Sequence, residues 1–250
     1  MLRGVNELHG YGLHATDGDI GHADEFYFDD ESWTVRYLVA DTGHWLPRRR
    51  VLISPIAIAQ ADWGNRKLML NLTRGQVEKS PGVEEHRPLS RRWEAHYHNY
   101  YEWPAYWAGA ALWGVAAYPS LLSDQEPETY SEPEAGEDSH LQSTSDVTGY
   151  QLHAADGDIG HVSDFIVDDR TWAIRYLVVD TGAWLPGKKV LLAPTWIESV
   201  KWSDAKVHSV LTREAIECGP AYDHKLPITR DYEVLLFAHY GQSKYWDAEG

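Results

Sequence analysis

The chain has 250 residues, 43% hydrophobic and 24% charged, a composition that suits an ordinary soluble globular protein with length for one large or two small cores. Its 22 Lys plus Arg against 38 Asp plus Glu give a formal net charge of −16, so gripping nucleic acid through phosphate neutralisation is a poor fit and an anionic membrane surface is disfavoured. A single cysteine, Cys218, excludes an intramolecular disulfide and a four-cysteine zinc site.

Met1 to Glu7 has neither the basic start nor the apolar run of a secretory signal, and a cytoplasmic location is expected. Twelve Trp and fifteen Tyr against four Phe favour aromatic groups that keep a polar handle. Along the chain, Leu13-His14-Ala15 recurs as Leu152-His153-Ala154, an offset of 152 − 13 = 139 residues that never changes. Asp17-Gly18-Asp19-Ile20-Gly21-His22 returns as Asp156-Gly157-Asp158-Ile159-Gly160-His161, and Arg36-Tyr37-Leu38-Val39 returns as Arg175-Tyr176-Leu177-Val178. The register holds through Tyr106-Trp107 and Tyr245-Trp246. Two copies are too few for a solenoid, so two similar domains are expected, at 1–107 and 146–250.

Within the first copy, Ile20 to Phe28, Trp33 to Val39, Val51 to Ser54, Ile56 to Trp63 and Lys67 to Leu72 are short β-branched and aromatic runs punctuated by Asp, Gly and Pro, the pattern of strands in a small barrel. Thr73-Arg74-Gly75-Gln76 has a capping-box pattern, and Ser90 or Thr229 can cap a helix carrying, in the first copy, Trp93, Tyr97 and Tyr101 on one face. Residues 108–145 have no counterpart in the second copy and read as an apolar stretch followed by an acidic linker. Trp103 to Leu122 has the length of a membrane span, but Pro104, Gly109, Gly114 and Pro119 weaken it, so packing on a neighbouring barrel or a symmetry mate is expected instead.

These motifs, in order, carry a resemblance. Asp-Gly-x-Ile-Gly, an acidic residue before Phe, Asp-Asp, Trp-x-x-Arg-Tyr-Leu-Val, Trp-Leu-Pro and Val-Leu-x-x-Pro resemble the PRC-barrel family in tandem, over about residues 8–80 and 147–219. The extensions from Pro81 through Arg91-Arg92-Trp93-Glu94 to Trp107, and from Pro220 through Arg230-Asp231-Tyr232-Glu233 to Trp246, are similar to those of bacterial two-barrel members. The family includes the cytoplasmic domain of the photosynthetic reaction-centre H subunit and the carboxyl-terminal domain of a ribosome-maturation factor. The resemblance implies a mainly β protein of two small, strongly bent antiparallel barrels, each followed by short helices and used for protein contacts rather than catalysis.

A non-enzymatic interaction or assembly module is therefore expected, homodimeric and without a cofactor. Two alternatives stay open: a metal- or small-ligand-binding protein, and an accessory to a membrane electron-transfer complex. The first rests on His14, Asp17 and His22 with their repeats His153, Asp156 and His161. If Asp17-Gly18-Asp19 is a three-residue hairpin loop, His14 faces His22 across the strands, and two imidazoles with one carboxylate suit a divalent metal. Turn chemistry alone also explains these residues, as it does Asp29-Asp30 and Asp168-Asp169. Arg36 and Arg175 lie inside apolar strands and need carboxylate partners such as Asp41 and Asp180. The aromatic set Trp93, Tyr97, Tyr101, Trp103, Tyr106, Trp107 and Trp113 is the candidate interface, with packing inside its own domain as the other reading.

Overall fold

The computed structural model describes residues 1–46, 49–82, 89–120, 140–182 and 187–247. In chain order the first copy runs β1 (Leu2–Gly4), α1 (Val5–Leu8), β2 (Gly12–Ala15), β3 (Gly18–Asp29), β4 (Thr34–Asp41), β5 (Val51–Ile53), β6 (Ile58–Asp62), β7 (Lys67–Leu70), α2 (Arg74–Lys79) and α3 (Arg91–Tyr101). The second copy repeats the series as β8 (Leu141–Ser143), α4 (Thr144–Val147), β9 (Gln151–Ala154), β10 (Gly157–Asp168), β11 (Ile174–Asp180), β12 (Lys189–Leu192), β13 (Ile197–Lys201), β14 (Lys206–Ser209), α5 (Arg213–Cys218) and α6 (Arg230–Tyr240). The protein is mainly β, with two seven-stranded sheets, and among the described residues neither sheet path closes on itself.

The chain divides into two compact units, one holding Met1, Val5–Ser145 and Asp168–Ala173, the other Leu2–Gly4, Asp146–Val167 and Ile174–Gly250. The sheet of the first unit has the order β5-β4-β3-β2-β7-β6, with β8 also on β3. The sheet of the second has the order β12-β11-β10-β9-β14-β13, with β1 on β10. Each sheet thus takes its short extra strand from the other copy of the repeat, an exchange that a linear alignment of the copies does not carry.

The long third strand makes this possible. In β3, bulges between Ala23 and Glu25 and between Tyr27 and Phe28 bend a twelve-residue strand. One end, Gly18 to His22, pairs with β2, the other, Tyr27 to Asp29, pairs with β8, and the opposite edge pairs with β4. Seven successive residues of β4, Thr34 to Ala40, are buried, as expected of a central strand covered on both faces.

Sequence chemistry fixes the ends of the helices. Thr73 and Gln76 form a reciprocal capping box at α2, and Ser90 Oγ and Thr229 Oγ1 accept from the third residue of α3 and α6, Trp93 and Tyr232. Both long helices end on a left-handed residue, Glu102 (φ 57°) after α3 and Gly241 (φ 61°) after α6. The segment after α3 is a tight loop with bridges from Ala111 to Gly114 and from Trp113 to Ala116. Among the described residues no helix is long and apolar enough to cross a membrane. The acidic half of the expected linker lies outside the described residues.

One close approach requires glycine in both copies. A Cβ on Gly21 (φ 146°) would overlap the carbonyl oxygen of Asp41, and one on Gly160 (φ 81°) that of Asp180. Gly21→Ala is expected to lower the melting temperature by roughly 4 °C or more, since sterics and strain cost about 2 kcal/mol. Glu102→Gly is expected to raise it, because the left-handed cap costs a non-glycine residue about 1 kcal/mol. Thermal denaturation followed by circular dichroism checks both signs.

Candidate functional site

Positions three and four apart share a helix face. On α3 the stripe Arg91, Glu94, Ala95, His98 faces the sheet of the first unit, and the last three are buried. Glu94, only 2% exposed, is held by three side chains. The Tyr37 hydroxyl from β4 lies 3.1 Å from Oε1, the Tyr106 hydroxyl donates to Oε1 at 2.6 Å, and Arg91 Nη1 donates to Oε2 at 2.9 Å. His98, fully buried, places Nε2 3.0 Å from the same Tyr37 hydroxyl and Nδ1 2.9 Å from the carbonyl oxygen of Pro104.

Burial sets the electrostatics. It raises the Glu94 carboxyl to about 7, against the lowering by Arg91 and the two tyrosine hydroxyls, and it lowers His98 to about 4, helped by Arg36 and Arg91. Tyr37 and Tyr106 are pushed well above the usual phenol range, again chiefly by burial.

Beside this network lies a cleft of about 340 Å³ lined by Asp29, Ser32, Arg36, Arg91, Tyr106 and Trp107 with the backbone of 109–112. Arg36, 2% exposed, donates to the carbonyl oxygen of Leu112 at 2.5 Å, to Ser32 Oγ at 2.9 Å and to Asp29 Oδ2 at 3.5 Å. Its guanidinium lies 3.8 Å from the Tyr106 ring centre and 4.8 Å from that of Trp113. Trp113 in turn donates its indole N–H to the carbonyl oxygen of Thr171 at 2.8 Å.

The second unit repeats the network at the same offset. Tyr176 and Tyr245 donate to Glu233 Oε1 at 2.7 and 2.9 Å, Arg230 Nη1 lies 3.0 Å from Oε2, and Arg175 lies 4.2 Å from the Tyr245 ring centre. The position of His98 is taken by Phe237, buried against Trp196. This pairing of strand tyrosine with helix glutamate was not among the residues singled out from sequence. The signal present is that Tyr37, Arg91, Glu94 and Tyr106 all recur at the 139-residue offset, with a glutamate set among apolar and aromatic neighbours each time.

The histidine constellation is arranged differently from the expected cross-strand pair. The β2–β3 connection pairs Ala15 with Gly18, a two-residue turn rather than a three-residue loop, and a bulge follows. His14 therefore faces Asp19, with Nδ1 2.5 Å from Oδ1, while His22 sits opposite Gly12. In the second copy His153 Nδ1 lies 2.6 Å from Asp158 Oδ1, and His161 sits opposite Gln151. Asp17 and Asp156 accept the backbone N–H of Arg74 and Arg213, each at 2.7 Å, and so serve the starts of α2 and α5. Among the described residues no group of three or more His, Cys, Asp or Glu is placed to hold a metal ion.

Two other expectations resolve in detail. Arg36 is paired with Asp29 instead of Asp41, whose Oδ1 accepts from Gly43 N at 2.9 Å. Asp29 also closes its turn, accepting from the backbone of Glu31 and Ser32. Of the aromatic set, Tyr97, Trp103, Tyr106 and Trp113 are buried inside the first unit, and Trp93, Tyr101 and Trp107 are partly exposed. Tyr97 donates to the carbonyl oxygen of Leu52 at 2.8 Å, and Tyr101 stacks on Trp103 at 4.4 Å, so the set forms the seat of α3.

No protein-family model matches the chain, and no curated protein matches it.

The raised Glu94 and the lowered His98 act oppositely on stability. Glu94 contributes stability that is fully present below its unfolded value of 4.5 and lost as pH rises through about 7. His98 contributes stability that is fully present above 6.5 and lost as pH falls through about 4. Between 4.5 and 6.5 the two slopes cancel. Glu94→Gln is expected to expose the His98 slope, so that the folding constant falls by up to about tenfold per pH unit below 6.5. Denaturant titrations at several pH values check this.

Proposed function

We propose that the chain is a non-enzymatic protein-contact module, made of two like units of the PRC-barrel type, that self-associates into a homodimer. The observation that carries this reading is an apolar strip on the second unit. A groove of about 360 Å³ is lined by Ala221, Tyr222, Leu226, Pro227, Ile228 and Tyr232, among others. Leu226 is 65% exposed, and Leu235, one helical turn beyond Tyr232 on the same face of α6, is 59% exposed.

The first copy carries His96 where the second has Leu235, so this apolar exposure belongs to one copy. An exposed apolar strip supports a contact with the same strip on a second chain, since a two-fold interface uses one self-complementary patch twice. Of the aromatic residues of the first unit, Tyr97, Trp103, Tyr106 and Trp113 support the rigidity of such a module through internal packing.

Sedimentation of the full chain at micromolar concentration tests the reading. The wild type is expected to be a dimer and the double variant Leu226→Glu, Leu235→Glu a folded monomer. A monomeric wild type, or a variant that stays dimeric, would overturn it.

A further inference from the structure

The hydrogen-bond chain under α3 has a proton count that geometry constrains. The carbonyl oxygen of Pro104 can only accept, so His98 Nδ1 carries a hydrogen and, in the neutral ring, Nε2 presents a lone pair to Tyr37. The Tyr37 hydroxyl has one hydrogen and stands between two groups, Nε2 at 3.0 Å and Glu94 Oε1 at 3.1 Å. If Glu94 is ionised and His98 neutral, both neighbours are acceptors. One lone pair then faces another across about 3 Å in a fully buried site, a costly arrangement.

One added proton removes the conflict. With Oε1 protonated, Glu94 donates to Tyr37 and Tyr37 donates to Nε2, while Tyr106 still donates to Oε1 and Arg91 to Oε2. We propose that Glu94, Tyr37 and His98 of the first unit form a proton-binding site that holds one proton on Glu94 at neutral pH and releases it as pH rises, breaking the chain that seats α3 on β4.

The charged and titratable groups facing Glu94 are Arg91 and His98 on α3, Tyr37 and Arg36 on β4, Asp29 on β3 and Tyr106 beyond the helix. Arg36 and Arg91 both disfavour an imidazolium, which leaves the carboxyl as the seat of the proton, and the raised Glu94 and lowered His98 agree with this. The second unit supplies an internal contrast. Phe237 stands where His98 does, so Tyr176 has no competing acceptor there and an ionised Glu233 meets only donors: Tyr176, Tyr245 and Arg230.

The same substitution at the two equivalent positions is therefore expected to behave oppositely. Gln copies the protonated carboxyl in part: its amide N–H can donate to Tyr37, but the nitrogen cannot accept from Tyr106 as Oε1 does. Glu94→Gln is expected to melt no lower than wild type at pH 6, because an uncharged side chain escapes the stability that wild type loses as the unfolded Glu94 ionises above 4.5, which offsets the lost bond from Tyr106. Glu233→Gln turns an acceptor toward a donor and is expected to lower it by roughly 3 to 8 °C.

Infrared spectroscopy of the full chain reads the proton itself. A buried protonated-carboxyl band is expected at pH 6, fading as pH rises through about 7, retained in Glu233→Gln and absent in Glu94→Gln. His98→Phe, which copies the second unit, is expected to shift the fading to lower pH. A wild type without the band, a band that survives Glu94→Gln, or one whose fading is unmoved by His98→Phe would overturn the proposal.

Discussion

Each unit has to fasten a helix across the face of its sheet, and the fastening is a carboxyl group buried between a strand tyrosine and an arginine of the helix itself. Glu94 and Glu233 occupy this place, one helical turn after Arg91 and Arg230. Removing a carboxyl group from water is costly unless its polar atoms are bonded, and here two phenols and a guanidinium bond them. Because Tyr37 and Tyr176 are themselves fully buried on inner strands, the bond fixes the helix to the core of each sheet. The arginine that stacks on Tyr106 or Tyr245 from the strand side then fixes the segment beyond the helix in turn.

Much of the local structure was legible because local chemistry decides it. Thr73 with Gln76, and Ser90 or Thr229 after a proline, mark helix starts by the bonds their side chains accept, and β3 to β7 fall on or beside the β-branched and aromatic runs. The hairpin after β2 is one residue tighter than its turn residues suggest. Asp17 and Asp19 are both credible turn residues, and only the demand of α2 for an acceptor at Arg74 N distinguishes their roles. The exchange of β1 and β8 was not legible, since three-residue strands carry almost no periodicity and pairing across more than a hundred residues leaves no local trace.

The candidate site was half legible. The aromatic set stands out by composition, but an aromatic side chain serves a core and an interface equally well, and burial decides between them. Leu226 and Leu235, ordinary residues in sequence, acquire meaning only through exposure. Glu94 and Tyr37 lie 57 residues apart, so their contact is visible only in the fold. Once it is known, the difference of His98 against Phe237 becomes the informative one within the network. Duplication supplies two versions of one network, and one of them has an acceptor too many for its hydrogens.

Neutron diffraction from crystals grown near pH 6 tests this account most directly, because it locates exchangeable hydrogens. The account predicts a deuteron on Glu94 pointing at the Tyr37 oxygen, one on His98 Nδ1, none on His98 Nε2 and none on Glu233. A bare Glu94 carboxylate, or a deuteron on His98 Nε2, would contradict it.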